Sequence, residues 1–364
     1  MDALSSARIP LQGVTAEDLC AAVPAIAIED ARRVIAQVHR DEDPATPSSG
    51  IRRTAREAAL AAGHVPQLEI VAERRSQIDP FVKYALRTAD GHVVETVRIP
   101  LERAGRFCVC VSSQVGCALG CTFCATGRMG LTRNLETWEI VEQVRIVRRG
   151  IESGALPLRR VHGVVFQGMG EPMANLDRVL AAIRVMSDPS AQAIDARNIT
   201  VCTSGLPSGI RRLAAEAPNV RLGLSIASAR RDVRRSLMPI DRAHDLGDVL
   251  EAAAEHVAVT RLAPMWAVTL LAGVNDTLDD AQALADAVLA FRERTGTNPR
   301  LSIIPYNAID DGPAGQPDPF TRAPDTSEDA FRNALRARGV ITHKRYSGGG
   351  DVAAACGQLA ARGA

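Results

Sequence analysis

The chain has 364 residues, 46% hydrophobic and 23% charged, with a formal net charge of +1. That length suits one large α/β core with a smaller appendage, and the longest apolar runs are strand-sized, which argues against a membrane span. Near-neutral charge excludes a uniformly basic nucleic-acid binder, and eight cysteines in so long a chain do not resemble a secreted disulfide scaffold. The opening run MDALSSARIPLQG lacks a charged-then-apolar leader pattern, so the cytoplasm is the expected compartment. Basic residues are nearly all Arg, with Lys83 and Lys344 the only lysines, a bias that genomic base composition explains.

Residues 1–42 read as an N-terminal helical accessory domain. Thr15 followed by Glu17 and Asp18 marks a helix start for 16–23, and a second helix over 29–40 carries Ala31, Val34, Ile35 and Val38 on one face. Residues 43–105 read as a linker and small β extension. The run 41–50 is polar and contains proline, a short helix over 51–62 ends at Gly63, and strands follow at 67–72, 81–88 and 92–99 with Asp90-Gly91 as a hairpin turn.

Between 106 and 307 the pattern becomes strand, loop, helix. Strands are predicted at 106–113, 161–167, 198–203, 221–226, 264–271 and 300–305, and helices at 135–149, 175–187, 207–216, 245–257 and 277–294. Alternating βα units imply a parallel sheet with right-handed crossovers, and six of them predict an α/β fold built as an incomplete (β/α)6 barrel. Chemistry in such barrels collects at the C-terminal ends of the strands. Residues 308–364 read as a loop and C-terminal segment. An Asp-, Pro- and Gly-rich loop to 326 precedes a helix at 327–338 and a strand near 340–346. Ser347-Gly348-Gly349-Gly350-Asp351 then opens into a helical run ending in Cys356-Gly357-Gln358-Leu359.

Cys117, Cys121 and Cys124 follow the first barrel strand in a C-x3-C-x2-C spacing. Three thiolates in one loop are one short of a closed zinc site and of a fully ligated iron–sulfur cubane. On a [4Fe–4S] cluster they leave one iron open; a chance cluster or distorted zinc loop is the plain alternative. The spacing resembles the signature of radical S-adenosylmethionine (SAM) enzymes, with Phe123 as the aromatic before the last cysteine. That resemblance implies SAM bound at the open iron. Gly168-Met169-Gly170-Glu171-Pro172 follows the second barrel strand. Its glycines permit close backbone approach to a ligand, and Glu171 can accept a hydrogen bond from an amino group. The plain alternative is a tight βα turn.

The chain also carries Cys110-Val111-Ser112-Ser113-Gln114-Val115-Gly116-Cys117, Arg133-Asn134-Leu135 and Ala355-Cys356-Gly357-Gln358-Leu359. In this order, with the cluster and Gly-Glu motifs, they resemble the RlmN/Cfr family of radical-SAM RNA methyltransferases over roughly residues 90–360. The resemblance implies methylation of carbon 2 or carbon 8 of an adenosine in ribosomal or transfer RNA. These carbons are poor nucleophiles, so direct displacement on SAM cannot methylate them. It implies two SAM molecules per turnover, Cys356 as an S-methylcysteine intermediate, and Cys110 as the resolving thiol that forms a transient disulfide with Cys356. Both roles want a partly exposed, activated thiol. It further implies Glu95 as proton acceptor, SAM contacts at Gly170, Glu171, Cys202, Ser225 and Asn307, and the [4Fe–4S] ligands Cys117, Cys121 and Cys124. Flavodoxin or ferredoxin as electron donor and a monomeric protein complete the expectation.

The chain departs from the family pattern at three places. Cys202 stands where the family has Ser, with Ser204 able to substitute; Ser225-Ile226-Ala227 replaces Ser-Leu-His; and Gly348-Gly349-Gly350-Asp351 replaces an Arg-containing segment. The first concerns the SAM site; the other two, with the short N-terminal helical part that has little similarity to the family, bear on RNA choice rather than on radical chemistry. Candidate phosphate contacts are Arg74-Arg75, Arg148-Arg149, Arg159-Arg160, Arg211-Arg212 and the group Arg230, Arg231, Arg234 and Arg235, although charge pairs of this kind are more often solvated faces. Two alternatives remain at this stage: a radical-SAM enzyme acting directly on another substrate, which would not need Cys110 and Cys356, and a non-catalytic RNA- or metal-binding module.

Overall fold

A ten-stranded sheet organises the chain in the computed structural model, which describes residues 8–48, 50–151, 160–309, 318–344 and 347–360. Its strands are β1 (Glu69–Arg75), β2 (Val82–Arg87), β3 (Val93–Pro100), β4 (Arg106–Cys110) and β5 (Arg160–Phe166). They continue as β6 (Ile199–Thr203), β7 (Arg221–Ser225), β8 (Met265–Leu270), β9 (Arg300–Pro305) and β10 (Thr342–Lys344). Their order in the sheet follows their order in the chain. From β4 to β10 neighbours are parallel, and from β1 to β4 they are antiparallel. The β extension is therefore continuous with the main sheet.

The parallel strands are buried on both faces. Val164, Phe166, Val201, Leu222, Leu224, Trp266 and Ile303 are enclosed on one face and Val165, Cys202, Ala267 and Ile304 on the other, which is why their sequences read as mostly apolar runs. Crossover helices Thr137–Arg149, Leu176–Ser187, Pro207–Glu216, Leu246–Thr260 and Leu278–Thr295 lie where the periodicity puts them. None is long and apolar enough to cross a membrane, nor is any other helix among the described residues.

The first parallel strand ends at Cys110, three residues earlier than predicted. Beyond it, Ser112 is clamped by the Gln143 amide, which accepts from the Ser112 N–H at 2.8 Å and donates to its carbonyl at 2.9 Å. The chain then turns into a hairpin of Gln114–Cys117 with Gly130–Asn134. Gly116 there has φ +76°, and a Cβ on it would collide with the Gly130 carbonyl.

Helices Ala16–Ala22 and Ile28–His39 form the N-terminal unit, the first opened by a Thr15/Asp18 capping box. Helix Arg53–Ala62 packs with them, Ile51, Ala55 and Ala59 sharing one core with Leu19, Val34 and Ile35. The helical unit thus extends past the expected boundary at residue 42. Cys20 is half-buried against this core. The buried Arg145 of helix Thr137–Arg149 fastens the unit to the sheet, pairing with Glu142 at 2.6 Å and Asp41 at 2.5 Å.

The C-terminal helical run expected before Leu359 is absent. Only the single turn Gly350–Val352 forms. Gly349, Ala353 and Gly357 all have positive φ (71°, 52° and 86°), which breaks any helix there.

Candidate active site

A cleft opens where the parallel strands end. The C-terminal ends of β6, β7 and β8 line it through Cys202, Ser225 and Thr269, and the segments after β5, β6 and β9 through Gly168, Gly170, Glu171, Ser204 and Tyr306. Cys121, Phe123 and Cys124 of the cluster loop and Cys356 of the tail complete the wall. This is the strand end at which α/β sheets place ligands.

Glu171 is buried at the base of the cleft, and burial pushes its carboxyl up. Backbone N–H groups oppose that effect: Met173 donates to Oε1 at 3.0 Å and Ser204 to Oε2 at 2.9 Å. The Glu171 N–H itself donates to Gln114 Oε1 at 2.7 Å. Gly170, at φ +99°, leaves no room for a Cβ beside Gln114. The Gly-Glu turn is therefore locked by a glutamine whose importance the sequence did not signal.

Cys117, Cys121 and Cys124 perturb one another electrostatically. Burial pushes Cys117 up to about 11 and Cys121 up to about 12, and raises Cys124 as well. As bare groups they are neutral thiols, so only a strongly cationic centre would convert all three to ligands. Among the described residues no three His, Cys, Asp or Glu side chains converge tightly enough for a lone metal ion. Three neighbouring thiols on one loop are the kind of donor set an iron–sulfur cluster takes. Cys121 Sγ lies 3.8 Å from Ser204 Oγ, so Ser204 borders the cluster loop as well as Glu171. Behind this wall the buried Arg234 donates to the carbonyls of Ser204 at 2.9 Å and Ser225 at 3.1 Å and pairs with Asp241 at 3.0 Å. Helix Arg231–Leu237, which carries it, was not predicted.

A second cavity adjoins the first, and Cys356 lines both. Cys110 lines the second, with Phe81, Val165, Ile304 and Gly348. Cys108 shares Cys110's strand face but does not line this cavity. None of the eight cysteines is in a disulfide. Three expected site residues, Cys117, Glu95 and Asn307, lie outside both linings. Glu95 is buried in an ion pair with Lys83, 3.0 Å apart. Asn307 donates to Ser347 Oγ at 2.8 Å and to the Cys356 carbonyl at 3.3 Å, so its amide holds the tail.

A model of the radical SAM superfamily matches residues 111–287. Over 350 residues (92% of this chain and 88% of the relative) the sequence is 59% identical to a probable RNA methyltransferase of Sorangium cellulosum. Over 318 residues (86% and 79%) it is 41% identical to the dual-specificity RNA methyltransferase RlmN of an Anaeromyxobacter species. The crystal structure of a radical SAM methyltransferase from Sphaerobacter thermophilus matches with a TM-score of 0.84 at 33% identity, covering 97% of this chain and all of that one. The chain belongs to the RlmN/Cfr family of radical-SAM RNA methyltransferases. That family uses a [4Fe–4S] cluster and SAM, and the three-thiol loop beside Glu171 fits both.

Most of the arginines singled out in the sequence as candidate phosphate contacts are already paired within the chain. Arg75 binds Glu73 at 2.7 Å, Arg211 binds Glu255 at 2.7 Å, and Arg212 binds Asp177 and Glu216, each at 2.8 Å. Arg149 is shared by Asp41 and Glu142, Arg230 lies near Asp232 and Asp280, and Arg231 lies near Asp245. Arg234 and Arg235 converge on Asp241. Arg148 donates to the Gln192 carbonyl. Arg160 differs: its strand neighbour is Arg106, with His162 close by. Arg159 lies outside the described residues.

Proposed function

We propose that this enzyme methylates carbon 2 or carbon 8 of an adenosine in ribosomal or transfer RNA through a methyl-cysteine intermediate. The observation that carries this reading is Cys356, whose residue lines both the cluster-side cleft and the cavity of Cys110. Cys117, Cys121 and Cys124 would hold the cluster, which supplies the electron for SAM cleavage. Glu171 and Gly170 would bind SAM, with Cys202, Ser204 and Ser225 along the same wall and Asn307 beside the tail.

Cys356 faces two tasks. Toward the cleft its sulfur accepts a methyl group from one SAM and presents it for activation with a second. Toward Cys110 it is released from the RNA adduct: the Cys110 thiol gives up its proton and its sulfur attacks the Cys356 sulfur, the bond from that sulfur to the methylene bridge breaks with its electron pair going to the carbon, and a proton from water completes the methyl group left on the base. Glu95 is proposed as the proton acceptor, reached once the tail shifts. The scaffold is read as an incomplete (β/α)6 barrel, working as a cytoplasmic monomer fed by flavodoxin or ferredoxin.

The RNA target is proposed to differ from that of enzymes named RlmN. Ala227 in place of a histidine lines the cleft, and identity to the Sorangium relative exceeds identity to the RlmN of Anaeromyxobacter. Nucleoside mass spectrometry of ribosomal and transfer RNA, from cells with and without this gene, tests both points. A methyladenosine lost with the gene supports the reading and identifies the carbon; an unchanged profile counts against it. Cys110→Ala should accumulate a covalent protein–RNA adduct, and free turnover by that variant would remove Cys110 from its role.

A further inference from the structure

Lys83, Val97 and Cys110 stand opposite one another across β2, β3 and β4, so they share one face of the sheet. Glu95, two residues before Val97, lies on that face too. The C-terminal tail crosses it. Lys83 Nζ donates to the Ala353 carbonyl at 3.2 Å while pairing with Glu95 Oε1 at 3.0 Å. Glu95 Oε2 accepts from the Ala360 N–H at 2.9 Å. One buried ion pair thus grips the chain three residues before Cys356 and four residues after it. Two outer ties reinforce it: Gly349 N–H donates to Asp79 at 2.8 Å, and Gln77 N–H donates to Asp351 at 2.8 Å. On its far side the loop meets the cluster segment, where Ala125 N–H donates to the Gly357 carbonyl at 2.8 Å and Thr126 Oγ1 to the Leu359 carbonyl at 2.5 Å.

We propose that Lys83 is a positioning residue that, through Glu95, fixes both ends of the Cys356 loop and so sets where the thiol stands between the two cavities. A hydrophobic pair would fill the same buried space at less desolvation cost. Here each charged group instead spends a hydrogen bond on the tail, and no other lysine is available on this face, Lys344 being in β10. The antiparallel strands therefore act as a clasp for the thiol. For its consequence in turnover, though not for its geometry, the inference rests on reading Cys356 as the methyl carrier.

Thiol chemistry of the full-length chain, without cluster or SAM, tests the clasp separately from that reading. Iodoacetamide labelling followed by peptide mass spectrometry gives the alkylation rate of Cys356, and mild diamide oxidation gives the rate of the Cys110–Cys356 disulfide. In Lys83→Met the alkylation rate should rise about tenfold, the equilibrium factor for one lost hydrogen bond to a charged group, and the disulfide rate should change with it. Lys83→Arg should return both toward wild type. The double variant Lys83→Met, Glu95→Gln leaves no unpaired buried charge and should show the same raised alkylation if the single variant does not fold. Wild-type rates for both thiol readings in folded Lys83→Met, or in the folded double variant, would overturn the proposal. If Cys356 never carries a methyl group but these rates shift, the methyl-carrier reading fails and the clasp stands.

Discussion

In the parallel half of the sheet, functional groups sit in loops that continue directly from strand ends and are tied down by buried polar side chains. Glu171 is held by the Gln114 side chain and by two backbone N–H groups, and the Ser225 carbonyl by Arg234. The antiparallel half borders the second cavity with Cys110, holds Glu95, and grips a segment from the far end of the chain. Lys83, Glu95 and Asp79 bind tail residues some 265 to 270 positions away. Radical chemistry needs fixed geometry between cluster, SAM and target, and short strand-end loops supply it. A thiol serving two cavities needs an anchor that holds its flanks and leaves its centre on a loop. The two halves answer these different demands with different architecture.

The largest effect that separates them is loss of the thiol alone. Cys356→Ala should abolish transfer of label from SAM to RNA while keeping wild-type iron and sulfide content. Iron loss in that variant would join the two halves into one unit.

Next in size is the joint between the parallel half and the helical unit. Arg145→Met leaves the buried Glu142 with only Arg149, and breaking such a pair costs about 3–5 kcal/mol. The denaturation midpoint should fall accordingly, while Cys356 alkylation in the folded protein should not change. A Cys356 response would place the helical unit inside the clasp.

Glu171→Gln keeps the shape of the SAM wall and removes its charge. Hydrogen bonds to a charged group contribute about 1.5–3 kcal/mol, so SAM affinity by equilibrium dialysis should drop roughly tenfold to a hundredfold, with Cys356 reactivity unaltered. Unchanged SAM affinity would remove Glu171 from the SAM wall.

The acid response between pH 7 and pH 5 has its source in two buried histidines outside the antiparallel half. Burial is the main cause that pushes His39 down to about 3 and His256 down to about 4, with Arg145 and Arg148 adding to it for His39. Both are neutral when folded, whereas the unfolded chain takes up protons near pH 6.5. Their contribution is full above about pH 6.5. It then declines by about 1.4 kcal/mol per pH unit for each group, as pH falls toward 4 for His256 and 3 for His39. Denaturant midpoints between pH 7 and pH 5 should therefore fall in wild type and fall less in His39→Gln. Equal slopes would assign the acid sensitivity elsewhere.

Much of the parallel half was legible because strands buried on both faces are written as mostly apolar runs, Met265 to Leu270 being the plainest. The cluster loop and the Gly-Glu turn were legible because their ligands are neighbours in sequence. The hairpin Gln114–Cys117 was hidden, since its pairing depends on positive φ at Gly116 rather than on any alternating pattern. Helix Arg231–Leu237 was hidden because its Arg-rich sequence has no apolar period and its main buried side chain is a guanidinium. Glu95 looked like a solvated residue on an alternating strand, apart from its resemblance to the family's glutamate. Its burial follows from a tail more than 250 residues away, and no local pattern announces that contact.

The most direct test is peptide mass spectrometry of Cys356 in anaerobically reconstituted, active protein supplied with SAM. The structure and family together predict one added methyl group on Cys356, absent from Cys108 and Cys110. An unmodified Cys356 in protein that methylates RNA would contradict the assignment of this thiol as the carrier.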